Sequence, residues 1–116
     1  MFWRRPQART DALNAALRLL RAAGDREGVC RVLCDLAEAA AGDGDWTRAE
    51  AHAREARELA SGLHLYELGC ALKSSAISAG SLPVATGFAD PAVAVLQPLG
   101  AFLDIAYLRY RRSARL

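Results

Sequence analysis

Residues 30–61 read CRVLCDLAEAAAGDGDWTRAEAHAREARELAS, and this stretch decides the fold. Before its Gly-Asp run, apolar residues recur at the spacing of one helix face: Leu33, Leu36, Ala37 and Ala40. The run at 42–45 predicts a turn in which glycine adopts the left-handed conformation and Asp45 caps the next helix. That helix carries a narrow side of alanines: Ala49, Ala53, Ala56 and Ala60. Because so narrow an apolar side cannot stabilise a helix alone, the stretch predicts a helical hairpin.

Displacing the sequence by 36 residues overlays the middle of the chain on itself. The overlaid pairs are Cys34 with Cys70, Leu36 with Leu72, Gly44 with Gly80, Asp45 with Ser81, Ala49 with Ala85 and Ala53 with Ala89. Such a period is typical of stacked helical repeats. The sequence therefore predicts one all-α domain over residues 1–116. Helical hairpins occupy residues 8–61, a degenerate repeat residues 62–97, and an apolar C-terminal helix with a basic tip residues 98–116.

Residues 30–61 resemble a tetratricopeptide repeat. The matching pattern is Leu33-x-x-Leu36-Ala37-x-x-Ala40, then Gly44-Asp45-Trp46-x-x-Ala49, then Ala56 and Glu58-Leu59. The chain departs from the family at Ala53, where a large aromatic is usual, at Ser61, where proline is usual, and at Lys73, where a small residue is usual. The resemblance implies antiparallel helical hairpins stacked as a short array. It also implies a concave groove, lined by the first helix of each hairpin, that binds peptides or partner helices.

The residues expected on this groove come from two successive hairpins. They are Arg31, Cys34, Asp35 and Glu38 from the first, and Glu67, Cys70 and Ser74 from the second. One interpretation is a mixed-charge peptide groove. The other is a pair of solvated helix faces with two half-buried thiols. The sequence leaves both open.

Composition and motifs indicate a binding protein rather than an enzyme. Hydrophobic residues make up 53% and charged residues 24% of the 116-residue chain, which is typical of an ordered globular domain. No P-loop, dinucleotide fingerprint or HExxH motif occurs, and the cysteines and histidines lack the paired spacing of a metal site. We therefore expect no catalytic residues, no metal and no cofactor. Three cysteines without disulfide spacing, and no apolar run behind the first charges, predict reduced thiols in a cytoplasmic protein.

The final third of the chain differs from the rest. Between residues 74 and 108 the only charged residues are Asp90 and Asp104, and a basic tip of Arg109, Arg111, Arg112 and Arg115 follows. Asp90-Pro91 predicts a helix start, and Pro98 is expected to divide this segment. Beyond it, one helix face carries Leu99, Leu103, Ala106 and Tyr110, and a second carries Phe102, Ile105 and Leu108. A helix that is apolar on two sides is either central to its domain or an oligomer interface. Because few other helices are available to enclose it, we expect an oligomer interface.

These features predict a non-enzymatic protein–protein interaction module that associates with itself and has a scaffold or regulatory role. The Gly-Asp turn between its helices is similar to the turns in sensor or scaffold regions of large bacterial regulators. Two alternatives remain. One is a small membrane-associated protein that uses residues 91–112. The other is an accessory factor whose basic tail contacts nucleic acid.

Overall fold

The computed structural model describes residues 5–115, which form six α-helices and no strands. The helices are α1 (Arg5–Ala23), α2 (Arg26–Gly42), α3 (Trp46–Ala60), α4 (Leu65–Ser78), α5 (Leu82–Leu96) and α6 (Phe102–Arg115). The predicted all-α fold is therefore confirmed. Short turns join the helices, so that α2–α3 and α4–α5 form successive hairpins.

The predicted turn between α2 and α3 forms as expected. Gly44 adopts a φ of +79°, which only glycine reaches without strain, and the following N–H of Asp45 donates to the carbonyl of Ala40 at 2.9 Å. The Asp45 side chain then caps α3 by accepting from the N–H of Arg48 at 3.2 Å. Ser81 caps α5 in the same way. The predicted cap at Asp45 is confirmed, and Ser81, the residue that overlays it, is a cap as well.

The hairpins stack in the order in which they occur along the chain. α4 packs on both helices of the preceding hairpin, α2 and α3, and α6 packs in turn on both α4 and α5. Residues 36 positions apart meet across the α2–α4 contact, where Arg31 pairs with Glu67 at 3.0 Å and Ser74 donates a hydrogen bond to Glu38. The period in the sequence is therefore also a spatial repeat.

Two clusters of buried apolar side chains form the core. The first takes its residues from the four helices α1 through α4 and includes Leu17, Cys30 and Leu33. The second takes its residues from the five helices α2 through α6 and includes Ile77 and Leu108. The predicted alanine side of α3 is buried throughout: Ala49, Ala53, Ala56 and Ala60. Their small side chains let α3 lie close to the larger residues of α2.

The predicted helix start at Asp90-Pro91 is wrong, because α5 continues through Pro91 to Leu96. Proline has no N–H, so the carbonyl of Gly87, four residues earlier, loses its donor. Both residues are exposed, and water can therefore replace that hydrogen bond. The predicted break at Pro98 is confirmed, since this residue lies in the turn between α5 and α6.

Candidate interaction surfaces

The residues predicted for the concave groove come together in space. A cavity of about 260 Å³ lies between α2, α4 and α6, and five of the seven predicted residues line it: Arg31, Cys34, Asp35, Glu38 and Cys70. The other two contact lining residues: Glu67 accepts a hydrogen bond from Arg31, and Ser74 donates one to Glu38. Tyr66, Lys73 and Asp104 complete the lining and were not predicted.

Lys73 on α4 forms ion pairs with residues of both other helices that line the groove, α2 and α6. Its ammonium lies 3.0 Å from a carboxylate oxygen of Asp104 and 3.8 Å from one of Glu38, although the residue is only 9% exposed. Burial lowers the pKa of Lys73, but these two carboxylates outweigh the effect, and its pKa is raised. Tyr66 donates a hydrogen bond to the second oxygen of Asp104 at 3.0 Å. α6 thus places its carboxylate in the groove, where it neutralises a buried cation.

Two residues of this arrangement, Lys73 and Asp104, are unusual in the sequence, but the sequence does not show that they form a pair. Lys73 stands where the repeat resemblance requires a small residue, and Asp104 interrupts the most apolar part of the chain. Each is unexpected alone, and each becomes reasonable once the other is seen beside it. Their separation of 31 residues along the chain does not correspond to the repeat period, so the overlay could not pair them.

Arg31 and Glu67 form the second ionic contact in the groove. Arg31 also pairs with Glu27 at 3.1 Å, one turn earlier on α2. Glu67 is 3% exposed, and burial raises its pKa; the hydrogen bond from Arg31, a backbone hydrogen bond and the attraction of Arg31 together outweigh burial, so the pKa is lowered overall. Glu67 is therefore ionised at neutral pH. Most of the groove's charges are thus bonded to one another rather than presented to a ligand.

The three cysteines are all free thiols. Cys30 and Cys34 are buried on α2, where a hydrogen bond with Cys30, together with burial, raises the pKa of Cys34 well above its usual value. Burial raises the pKa of Cys70 to about 11. Cys34 and Cys70 are therefore protonated at neutral pH and serve here as small apolar side chains.

α6 has an outer and an inner face. The outer face, consisting of Leu99 and α6 residues Phe102, Leu103, Ala106 and Tyr110, is exposed, and Leu103 reaches 88% exposure. We call these five residues the α6 outer face. The predicted interface residues Ile105 and Leu108 lie instead on the inner face.

The assignment of Ile105 and Leu108 to an oligomer interface is therefore corrected. Leu108 is only 1% exposed and belongs to the core cluster shared with α4 and α5, and Ile105 is buried as well. A helix with two apolar sides can bury one of them in its own domain. The other side remains available for a partner.

The basic tip is partly engaged within the chain. Arg111 donates to the hydroxyl of Tyr107 at 2.6 Å and to the carbonyl of Glu38 at 3.3 Å. Arg112 donates to the hydroxyl of Thr86 at 3.2 Å. These contacts tie the end of α6 to α2 and α5.

Within residues 5–115, no helix is both long enough and apolar enough to cross a membrane. In the same part of the chain, no three His, Cys, Asp or Glu side chains converge as a set of metal ligands. The chain matches no protein-family model, no curated protein and no solved structure.

Proposed function

We propose that this chain is a non-enzymatic protein–protein interaction module of tetratricopeptide-like type, and that it associates with a second copy of itself through the α6 outer face. The exposure of that face is the main support. Four of its five residues are large and apolar; Phe102, Leu103 and Tyr110 lie on one side of α6, and Leu99 lies in the turn before it. A contiguous apolar patch of this kind marks an interaction site on a soluble protein. The groove offers less, because its charges are already paired internally.

The arrangement of residues along α6 favours an antiparallel pair of helices. Ala106 lies near the centre of the exposed stripe, and its small side chain allows two helices to approach closely. In an antiparallel pair that crosses at Ala106, Phe102 and Leu103 of one copy face Tyr110 of the other. The same surface then serves both copies, as in most homodimers.

Charge supports the antiparallel arrangement over the parallel one. The C-terminal half of α6 carries Arg109, Arg111 and Arg112, and its first turn carries Asp104. In a parallel pair the arginines of the two copies would lie side by side. In an antiparallel pair that crosses at Ala106 they lie on opposite sides of the crossing, roughly 14 Å apart along the helix axis.

The setting we propose is a scaffold or regulatory role in the bacterial cytoplasm. Three free thiols suit a reducing compartment. The stacking of repeat-equivalent residues, Arg31 on Glu67 and Ser74 on Glu38, supports the tetratricopeptide-like interpretation.

Sedimentation velocity over a concentration series tests self-association. We expect the wild-type chain to shift from monomer to dimer with concentration, and Leu103→Glu to remain monomeric because it places a charge in the apolar contact. Leu19→Glu is the matched control, since Leu19 is 72% exposed on α1, away from the α6 outer face. A wild-type chain that stays monomeric throughout contradicts the proposal. So does an equal effect of the two substitutions.

The two alternatives are distinguished by further measurements on the same variants. If α6 lies in a membrane interface, the wild-type chain would co-sediment with anionic vesicles, and the Leu103→Glu variant would remain in the supernatant. Nucleic-acid binding has less support because Arg111 and Arg112 bond within the chain. It would appear as salt-dependent retention on heparin.

A further inference from the structure

A second cleft lies between α3 and α5, whose Cα atoms lie more than 8 Å apart within the described residues. Its volume is about 280 Å³. The lining residues are Glu50, Ala53, Arg54, Arg57, Ser75, Ala79, Val84 and Phe88. The buried Ser75 and Ala79 form its floor. None of these residues belongs to the groove or to the α6 outer face.

Arg57 is a half-buried cation in this cleft. Its guanidinium donates to the hydroxyl of Ser75 at 2.6 Å and lies 4.6 Å from the centre of the Phe88 ring. The Ser75 hydroxyl donates a hydrogen bond to the carbonyl of Ala71 at 2.8 Å, so it is a neutral partner for Arg57. Among the described residues no carboxylate forms an ion pair with Arg57. Burial, together with the positive charge of Arg54, lowers the pKa of Arg57.

The other charged groups around the cleft leave this imbalance in place. Arg54 lies one helical turn before Arg57, is exposed and adds a second positive charge. Like charges at this spacing destabilise a helix by a few tenths of a kcal/mol, roughly 0.2–0.5. Glu50 lies in the cleft but accepts from the N–H of Gly80 at 3.0 Å. Glu50 and Glu58 both attract Arg57 electrostatically, but among the described residues neither forms an ion pair with it. Two guanidinium groups thus share the cleft with one carboxylate, that of Glu50.

The residues that line the cleft favour a ligand that combines a carboxylate with an apolar group. A guanidinium presents a planar fork of N–H donors that matches a carboxylate, and among the described residues Arg57 uses one donor, in its bond to Ser75. Ala53, Val84 and Phe88 supply apolar surface next to that fork. A phosphate dianion loses more hydration than a carboxylate on entering so apolar a cleft. We propose that the α3–α5 cleft binds a carboxylate of a peptide partner, with an adjacent apolar side chain packed on Phe88 and Val84.

Amide chemical shifts of the isotope-labelled full chain provide the test. The probes are acetyl-Leu-Glu-Leu-amide, its neutral counterpart acetyl-Leu-Gln-Leu-amide, and acetyl-Leu-Gln-Leu with a free carboxyl terminus. We expect the first to shift amides of α3 and α5 around the cleft, and the neutral peptide to bind about tenfold more weakly. The third shows whether a terminal carboxylate can replace a side-chain one. Equal binding of charged and neutral peptides, or shifts confined to other helices, would overturn the proposal.

Two substitutions separate the cleft from general charge attraction. Arg57→Gln should weaken binding of the Glu peptide about tenfold, whereas Arg48→Gln, an exposed arginine on the same helix, should leave it unchanged. Arg57→Lys keeps the charge but loses the fork, and should lie between them. If Arg57→Gln fails to fold, Arg57→Lys and Arg54→Gln decide the outcome. Equal losses for Arg48→Gln and the cleft variants, or stronger binding of inorganic phosphate than of the Glu peptide, would contradict the assignment.

Discussion

Gly69 sets the distance between α4 and α5, and replacing it with alanine is the sharpest test of this packing. A Cβ at position 69 would lie 2.5 Å from Cδ2 and 2.7 Å from Cγ of Leu96, and 3.2 Å from Cγ1 of Val95. Leu96 is fully buried and cannot turn toward solvent to make room. Either the two helices move apart or Leu96 leaves its rotamer.

The expected size of the effect follows from two opposing terms. Alanine in a helix interior is favoured over glycine by about 1 kcal/mol. An overpacked core costs about 1–3 kcal/mol, and contacts this short indicate the upper end. We therefore expect Gly69→Ala to lower the free energy of unfolding by about 2 kcal/mol. For a domain of this size that corresponds to a fall in Tm of about 8 °C.

Gly87 is the matched control, because it lies inside α5 with nothing within 4 Å of an added Cβ. Gly87→Ala should raise stability by up to about 1 kcal/mol through helix propensity alone. Thermal and urea unfolding followed by circular dichroism measure both variants. The reasoning is refuted if Gly69→Ala is as stable as the wild type, or if both substitutions change stability in the same direction.

A double variant checks the identity of the clash. Leu96→Ala alone should cost about 2–5 kcal/mol by leaving a cavity. Combined with Gly69→Ala, its cost should be smaller than the sum of the two, because the new methyl group occupies part of that cavity. Additive losses would show that Leu96 is not the residue displaced.

Three further outcomes are expected. Lys73→Met should cost about 3 kcal/mol by leaving buried carboxylates unpaired. Part of that loss should return in thermal melts as the pH is lowered from 7, because burial already raises the pKa of Glu38 and its protonation removes the charge. Leu108→Ala should cost about 2–5 kcal/mol in urea unfolding, whereas Leu103→Ala should change monomer stability by less than about 0.5 kcal/mol. Since the pKa of Glu67 is lowered on folding, ionised Glu67 adds to the free energy of unfolding above pH 4.5, and this contribution is lost as the pH falls through the pKa of the folded state. The difference in stability between Glu67→Gln and the wild type should therefore shrink in acid.

Local sequence patterns predicted the elements that depend on neighbours within a turn or two of helix. Asp45 and Ser81 cap helices because a side-chain oxygen needs only the N–H three residues ahead. The buried side of α3 follows from alanines spaced for one helix face. The break at Pro98 follows from the missing N–H of proline. At Pro91 the same rule misled, because an exposed proline can be tolerated within a helix when water serves the freed carbonyl.

The groove was predictable in part because repetition carries information across the chain. Residues one period apart occupy equivalent positions in successive hairpins, and stacking brings those positions into contact, as Arg31 and Glu67 show. Tyr66, Lys73 and Asp104 were missed because their contacts cross from one hairpin to α6 and do not follow the period.

The amino-acid sequence by itself determined that this chain forms helical hairpins, where most of them turn and which side of each is apolar. Those properties arise from the 3.6-residue helical period and from the local geometry of caps and glycine turns. Only the tertiary structure decided which apolar side of α6 is buried, that Lys73 is enclosed between two carboxylates, and that Gly69 admits no side chain. Each of these depends on which atoms a neighbouring helix presents at van der Waals distance, and a helix carries no record of that neighbour in its own periodicity.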